Sequence, residues 1–438
     1  MPYKITIIGG GSSTFVPQLM RLFIGSKVLA GSTICLMDID RERLQVMDTL
    51  CRRLVEAQGA QLTIESTTDQ RQSLVGADFV ICAISVGGMD AWELDIEIPA
   101  RHGVIMPIAD SIGPGGIMRA FRHIPVLTSV CRDLEELSPN AWVFNYSNPA
   151  TSNLIAMRSA SKVRSFSLCT CSSIPRNAAY LAAHAGVHAE AVLAPAPAAG
   201  LNHCAAVLDL RLRDGRSAFP LIADTTDNEI VRWGLRMFGV LPYCWSHWTE
   251  FFPSLMRPEE PYRGRAQGMR MAYGLHVHDM EHERARSAHW AAVADRLARG
   301  EEPASLDVLP EAEAIEVVEI MEAIIENRNA LHVVNLPNQG AIPNLPHDAI
   351  VEVTAVVNSY GINPVSVGPL PEPWAAVLRS HITAQELTAK AALSGSRHDA
   401  ELAFLADPVL AAMLTPAEAS KLLDELLAAH AAHLPQFR

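Results

Sequence analysis

Short apolar runs alternate with stretches of helical periodicity through the first part of the chain. Residues 4–9 (KITIIG) and 33–38 (TICLMD) have the length and composition of buried parallel strands. Further strands are expected at 78–85 and 141–146, and amphipathic helices at about 15–29 and 41–58. Strands that alternate with helices in this way predict a doubly wound parallel sheet of the Rossmann type.

The pattern changes after about residue 200. Residues 203–213 alternate between apolar and polar side chains, which predicts a strand that ends in a turn at Asp214-Gly215. Residues 310–330 and 380–430 have helical periodicity. No repeat, low-complexity tract or linker separates the two parts. We therefore predict an α/β protein with an N-terminal Rossmann-type domain at 1–185 and a second, α+β domain at 186–438.

Composition narrows the function classes. Of the 438 residues, 49% are hydrophobic and 19% charged, which is enough apolar material for a large core and argues against disorder. Lys plus Arg is 35 and Asp plus Glu is 48, so the net charge of −13 argues against a nucleic-acid or anionic-membrane partner. The sequence contains no apolar run of about 18 residues, and no leader segment is expected. Its eight cysteines are too few for a disulfide framework. We therefore expect a cytoplasmic protein without disulfides.

A glycine-rich turn, residues 9–14 (GGGSST), follows the first predicted strand and precedes the first predicted helix. Glycines let the backbone approach a pyrophosphate, and the helix N-terminus offers free N–H groups. Asp38, at the end of the second strand, can accept hydrogen bonds from ribose hydroxyls and disfavours a 2′-phosphate, which favours NAD over NADP. The candidate cofactor-binding residues are Gly9, Gly11, Ser12, Ser13, Thr14, Asp38 and Arg43. Because Thr14 stands where a third glycine is usual, an ordinary tight turn is the alternative.

Several longer blocks follow one another in a distinctive order. They are GGGSSTF (9–15), ADSIGPGGIMRAFRHIP (109–125), NYSNPA (145–150), LNHC (201–204) and NLPNQGAIPNLPHDAIVEV (335–353). In these blocks the chain resembles glycoside hydrolase family 4, the NAD- and metal-dependent glycosidases, over nearly its whole length. The resemblance implies a fold of the lactate/malate dehydrogenase-like superfamily.

The resemblance also implies an oxidoreductive reaction. NAD takes a hydride from carbon 3 of the sugar, a base removes the acidified proton from carbon 2, the aglycone is eliminated, water adds and the hydride returns. A divalent metal, usually manganese, binds the oxygens on carbons 2 and 3 as a Lewis acid.

Cys169 and His203 match the family's metal ligands. Thiolate and imidazole suit a borderline metal with open coordination positions. The chain departs from the family pattern at Thr170, where His, Asn or Asp is usual. Two buried thiols and a structural histidine are therefore the alternative, and Cys171 is a second candidate for the ligand position.

Other positions are assigned through the same resemblance. Asn148 matches a substrate-contacting asparagine, and Asp110 is the candidate to protonate the leaving oxygen or to orient a neighbour that does so. Trp245 falls on the position of the carbon-2 base but cannot act as one. With a small gap, Tyr243 or His247 takes that role, and a packed aromatic cluster is the alternative reading.

The substrate is expected to be an unusual one. Trp92 stands where phosphosugar members carry an arginine, which argues against a 6-phosphosugar. The aromatic segment 243–252 and the nearby arginines, Arg263 among them, suggest a sugar with one anionic group, unless those arginines are simply solvated. The candidate substrate-binding residues are Asn148, Trp92, His203 and Arg263.

A sulfoquinovoside, the substrate of the related NAD-dependent sulfoquinovosidases of glycoside hydrolase family 188, is the first choice. Another α-glycoside, a uronide or a neutral sugar, is the alternative. A hydroxy-acid dehydrogenase of the lactate/malate type and an inactive NAD-binding sensor are the competing functions. The apolar C-terminal segment makes a homodimer or homotetramer plausible.

Overall fold

The computed structural model describes residues 2–312 and 315–437, which form one 12-stranded sheet flanked by helices and a separate two-stranded hairpin. The strands are β1 Lys4–Ile8, β2 Thr33–Met37, β3 Thr63–Thr67, β4 Phe79–Cys82, β5 Trp142–Asn145, β6 Arg164–Ser167, β7 Ala198–Leu201, β8 Cys204–Val207, β9 Leu241–Pro242, β10 Arg270–Met271, β11 Leu275–His276, β12 Ala330–Pro337, β13 Ile350–Asn358 and β14 Gly361–Pro364.

The helices surround this sheet. They are α1 Phe15–Gly25, α2 Arg41–Ala57, α3 Gln70–Leu74, α4 Gly88–Arg101, α5 Gly113–Leu137, α6 Ala150–Ala160, α7 Ala178–Ala185, α8 Phe219–Thr225, α9 Glu229–Phe238, α10 Trp245–Glu250, α11 Met280–Arg299, α12 Val317–Ile325, α13 Glu372–Ser394, α14 Arg397–Ala406, α15 Pro408–Met413 and α16 Pro416–Ala429. Within the two described segments, no helix is both long and apolar enough to span a bilayer.

The first six strands are parallel and have the order β3-β2-β1-β4-β5-β6. This is the order of a dinucleotide-binding Rossmann sheet, so the predicted fold class is confirmed. Ile5 and Ile7 of β1 are fully buried because helices cover both faces of a parallel sheet. The carboxyl ends of these strands therefore meet at one edge, where such folds place their ligands.

The sheet continues into the second half of the chain. β6 pairs antiparallel with β12 at Ser167 and Asn335, and the order then runs β12-β13-β7-β8-β9, with β14 on the side of β13. The longest pairing in this second half of the sheet is between β12 and β13. It extends from Ala330 opposite Val357 to Pro337 opposite Ile350. The sheet thus passes through the predicted boundary at 185/186, and that boundary stays a prediction.

Two predicted elements in the second half are shorter than expected. The strand predicted at 203–213 is regular only over β8, because His203 occupies the turn that precedes it. The helix predicted at 310–330 contains residues 313 and 314, which lie outside the described residues, and α12 covers only its later part. Helix α1 likewise ends at Gly25 and not near residue 29.

The helical region predicted at 380–430 is divided into α13 to α16. Gly395, at φ 65°, ends α13 in a left-handed conformation that favours glycine. The next two divisions occur where Pro408 and Pro416 begin new helices, each preceded by a capping side chain. Proline fits the first turn of a helix but not its interior, so the chain turns at these points.

A buried ion pair joins α4 to α5. Arg122 donates to both carboxylate oxygens of Asp95, at 2.9 and 2.6 Å, and neither side chain is more than 1% exposed. His430 Nε2 lies 3.1 Å from the same carboxylate. A pair without solvent access must keep both partners, because a single buried charge is strongly unfavourable. It therefore fixes the first half of α5 against α4.

Candidate active site

The glycine turn is folded tightly against its neighbouring strands. Gly9 has φ +99°, and a Cβ atom there would lie 2.2 Å from the carbonyl oxygen of Ala83. The N–H groups of Gly9 and Gly10 both donate to the carbonyl of Met37, at 3.0 and 2.8 Å. Only glycine fits the first position, and the turn leads directly into α1, so its backbone fits the approach of a dinucleotide pyrophosphate.

Asp38 closes the same turn. Its Oδ2 accepts from the Gly11 N–H at 2.8 Å and its Oδ1 from the Asp40 N–H at 3.0 Å. A carboxylate has about four acceptor positions, so it can still bind ribose hydroxyls. The predicted residues of the turn and Asp38 thus lie together, whereas the Arg43 guanidinium forms an ion pair with Asp295 at 2.9 Å.

Cys169 and His203 lie together although 34 positions separate their numbers. Cys169 follows β6, and His203 lies with Asn202 in the two-residue turn between β7 and β8. His203 has φ +67°, a conformation that His adopts more readily than most residues in such turns. The ligand atoms of Cys169, His203 and Cys244 all lie within 4.8 Å of one another. Thiol and imidazole groups are a donor set that fits a borderline divalent metal.

Ser111 fixes the orientation of His203. The Ser111 hydroxyl donates to Asp110 Oδ1 at 2.6 Å, and its oxygen lies 2.7 Å from His203 Nδ1. Because the hydroxyl hydrogen is used on the carboxylate, the serine oxygen accepts from Nδ1–H, so Nε2 is the ring nitrogen that remains to bind a metal. An outer partner on one nitrogen is the usual way in which proteins prepare the other nitrogen of a histidine as a metal ligand.

Asp110 is the centre of a polar cluster. Its Oδ2 accepts from Asn148 Nδ2 at 2.8 Å, and its Oδ1 lies 3.3 Å from His247 Nε2. Burial favours a higher pKa for Asp110, but His247 and Arg119 outweigh it and hold this pKa well below its usual range. Burial also disfavours a charged His247, yet Asp110 raises the His247 pKa above its ordinary value. The pair therefore combines a carboxylate with an imidazole whose charged form that carboxylate favours.

Helix α10 places two functional side chains on one face. His247 and Glu250 are three residues apart, a spacing that aligns side chains on a helix. Glu250 Oε1 accepts from the N–H groups of Ile108 and Ala109, at 2.6 and 2.8 Å. Ala109 has φ +58°, so these two bonds hold the backbone before Asp110 in a rarely used conformation. Burial raises the pKa of Glu250 to about 7.

Tyr243 is not brought to the Asp110 pair. It is 2% exposed, and its hydroxyl donates to Glu352 Oε1 at 2.8 Å. Burial, and then the nearby Glu352, raise the pKa of this phenol well above its usual value. The other oxygen of Glu352 accepts from Asn202, the neighbour of His203. Tyr243 therefore supports the turn that carries His203, and of the two candidate bases only His247 lies in the site.

Trp92 and Arg119 form the apolar and cationic side of this region. The Trp92 Nε1–H donates to the carbonyl of Ile108 at 2.8 Å, and the Arg119 guanidinium carbon lies 5.0 Å from the centre of the Trp92 ring. Arg119 is only 9% exposed, and in the described part of the chain it makes no hydrogen bond or ion pair. The charges of Asp110 and Asp95 act on this guanidinium without a direct contact, so its Nε and Nη1 hydrogens can still be donated to an anionic ligand group.

Arg263 is placed elsewhere. Its side chain is exposed, and within the described segments no hydrogen bond or ion pair connects it to the Asp110 cluster. The neighbouring Arg265 lines a separate cavity of about 650 Å³, whose lining also contains Glu93 and Glu97. The structure therefore does not bring Arg263 together with the other predicted substrate-binding residues.

Four residues of the site were not singled out by the sequence: Ser111, Arg119, Cys244 and Glu250. Ser111 and Arg119 belong to the distinctive block 109–125, so their position in that block was an available signal. Glu250 follows His247 at helical spacing, which was a weaker one. Cys244 offered none, because its relation to Cys169 exists only in the folded chain.

Comparison with known proteins identifies the family. The model for the family 4 glycosyl hydrolases matches residues 4–175, and the model for their C-terminal domain matches residues 198–410. The chain belongs to glycosyl hydrolase family 4. This hydrolase is 30% identical to the alpha-galactosidase of Bacillus subtilis (strain 168), across 99% of its own length and 100% of the relative. It is 31% identical to the alpha-galactosidase of Rhizobium meliloti (strain 1021), across 99% and 90% of the two chains.

The hydrolase also has the fold of solved relatives. A 6-phospho-alpha-glucosidase from gut microorganisms, crystallised with NAD and Mn2+, superimposes with a TM-score of 0.80 at 22% identity and covers 99% of each chain. Family membership makes the protein a glycoside hydrolase and removes the hydroxy-acid dehydrogenase from consideration. Since these relatives act on different sugars, their names alone do not determine the substrate of this hydrolase.

Proposed function

We propose that this family 4 hydrolase is an NAD-dependent glycosidase for a sugar with one anionic substituent, in the first instance an α-sulfoquinovoside. The related 6-phospho-alpha-glucosidase contains NAD and Mn2+, and both groups fit here. The turn at Gly9 with Asp38 would hold the dinucleotide. Cys169 and His203 would hold a divalent metal, manganese by analogy with that relative.

When bound, NAD accepts and returns a hydride and the metal acts as a Lewis acid on the sugar oxygens. The chain's own residues bind, orient and protonate. Asn148 and Asp110 present polar groups to the sugar, and Asp110, 3.3 Å from His247 Nε2, orients this imidazole for proton transfer with the substrate. This is the second of the two roles expected for Asp110, that of orienting a neighbour. Tyr243 takes no part, because its hydroxyl is engaged by Glu352.

The observation that supports an anionic substrate is Arg119, which makes no hydrogen bond or ion pair in the described part of the chain. Its guanidinium is buried beside Trp92, the residue that by the family resemblance stands where phosphosugar members carry an arginine. A sulfonate carries one charge and can accept two parallel N–H bonds from a guanidinium. Trp92, whose ring is stacked on His278 at 4.5 Å, helps to position this guanidinium. A uronide has a single charge as well and is the alternative within this class.

Cofactor dependence is tested first, with p-nitrophenyl α-glycosides assayed with and without NAD, Mn2+ and a chelator. We expect aglycone release to require NAD and, in deuterated water, deuterium to appear at carbon 2 of the product sugar. Full activity after complete removal of the dinucleotide, or a product without deuterium, would contradict the proposed reaction.

Substrate class is tested by the ratio of kcat/KM for the α-sulfoquinovoside to kcat/KM for the α-glucoside. We expect this ratio to exceed one and to fall about 10- to 100-fold in Arg119→Lys, which keeps the charge but loses the paired N–H bonds, since a hydrogen bond to a charged group contributes about 1.5–3 kcal/mol. Arg263→Lys is the matched control and should leave the ratio unchanged. If Arg263→Lys lowers the ratio more than Arg119→Lys does, the anionic group is bound by Arg263, as the sequence suggested, and the role proposed for Arg119 is wrong.

A further inference from the structure

Three cysteines and one histidine lie close together next to the Asp110 cluster. Cys169 and His203 lie with Cys244, which precedes α10, and Cys171 Sγ is 2.8 Å from Cys244 Sγ. Two of these cysteines belong to the segment after β6, whereas Cys244 comes from a distant part of the chain. The proposed function uses only Cys169 and His203, so the role of Cys244 is open.

The backbone of Cys244 is in an unusual conformation. It has φ 63° and ψ 46°, the left-handed region that residues other than glycine seldom occupy. Such positions persist only where the surrounding structure requires them, and they cluster at ligand sites. Here the conformation brings Sγ within 4.8 Å of the ligand atoms of Cys169 and His203.

We propose that Cys244 is a third protein ligand of the metal, so that this chain holds its ion with two thiolates and one imidazole. The inference rests on the proposed function only for the presence of a divalent ion at Cys169 and His203. Cys171 is the less suitable ligand. In the part of the chain that the structure describes, it does not belong to the group of ligand atoms within 4.8 Å of one another.

The contacts around Cys244 agree with a ligand role. His247 Nδ1 lies 3.5 Å from its sulfur, so this ring nitrogen can donate to a thiolate. Ser111 already holds His203 with Nε2 free. Both thiolate and imidazole thus have outer partners, as metal ligands usually do.

The proposed ligand set changes the expected ion. Manganese prefers oxygen ligands, whereas thiolates select zinc and other softer ions. Two cysteines, one histidine and an open fourth position are a known catalytic zinc arrangement. The open fourth position, together with a fifth that zinc can add, leaves room for two sugar oxygens. We therefore expect this hydrolase to favour zinc over manganese.

The test uses the full chain, stripped with a chelator under reducing conditions and reloaded with cobalt(II) as a spectroscopic probe. The wild type should bind one ion with strong sulfur-to-cobalt charge-transfer absorption. Cys244→Ser should lose about half of that absorption and bind zinc at least ~10-fold more weakly, since even the loss of an outer partner costs 10- to 100-fold. Cys171→Ser, a thiol of the same cluster, is the matched control and should keep both properties.

A second variant covers the case in which Cys244→Ser does not fold. Cys244→Asp keeps a ligand but replaces sulfur by oxygen, and it should shift the zinc-to-manganese preference toward manganese. An unchanged spectrum in Cys244→Ser, or its loss in Cys171→Ser, would overturn the inference. So would a thiol count showing a Cys171–Cys244 disulfide in active enzyme purified without reductant. If the wild type and Cys169→Ser both bind no ion, the metal of the proposed function fails instead.

Discussion

Replacement of Ser111 by alanine tests how the site prepares His203. The serine is 6% exposed and lies between Asp110 and His203, with hydrogen bonds of 2.6 and 2.7 Å. Ser111→Ala removes the acceptor of the His203 Nδ1–H and leaves that group buried and unpaired. The imidazole is then free to take the other tautomer, in which Nε2 carries the proton and cannot bind a metal.

The magnitude follows from the two lost contacts. Loss of an outer partner of a metal-binding histidine lowers metal affinity about 10- to 100-fold, or about 1.4–2.7 kcal/mol. The unpaired N–H costs a further 1–3 kcal/mol or so of folding stability. We expect the Kd for zinc or manganese, measured by competition with a chelating dye, to rise by this factor, while the Kd for NAD is unchanged.

Ser73→Ala is the control for a lost buried hydroxyl. Ser73 is fully buried, and its hydroxyl donates to the carbonyl of Gln70 at 2.7 Å, in α3 and away from the site. It should lower the free energy of unfolding by about 1 kcal/mol with no change in metal affinity. A metal Kd for Ser111→Ala within twofold of the wild-type value would refute the role given to Ser111.

Three further predictions concern the cofactor turn, the core and pH. Gly9→Ala should abolish NAD binding measured by calorimetry, because its Cβ would meet the Ala83 carbonyl at 2.2 Å; retained affinity would contradict the turn's assignment. Asp95→Asn should lower the free energy of unfolding in urea by about 3–5 kcal/mol, since Arg122 would lose its buried partner, and a change below 1 kcal/mol would show the pair to be dispensable. Burial raises the pKa of Asp407 from 3.8 to about 6, so the folded state keeps a proton that the unfolded state loses. Stability relative to Asp407→Asn should therefore fall as pH rises from about 4 to about 6, and an equal pH dependence of the two proteins would exclude this titration.

The sequence was sufficient where local chemistry determines the structure. The strand, the glycine turn and Asp38 follow one another closely, and each has a conformational or charge requirement that can be read from residue type. The position of the metal pair is different. Cys169 and His203 were assigned by resemblance, and nothing local indicated that a strand end and a hairpin turn would meet.

What the sequence did not predict depends on contacts between distant segments. Strands β12 and β13 were not predicted, although the pair joins the two halves of the sheet. Tyr243 was a reasonable base until its partner Glu352, more than a hundred residues away, was known. Cys244 and Glu250 gain their roles in the same way, through neighbours that a linear pattern does not show.

The continuous sheet has an evolutionary consequence. The glycine turn and the proposed metal ligands Cys169 and His203 directly follow or join its strands, whereas Trp92 and Arg119 belong to helices α4 and α5 outside it. Substitutions on those helices can change the sugar specificity without altering the proposed NAD and metal sites. A single ancestral framework could in this way give rise to enzymes for neutral, phosphorylated and acidic glycosides.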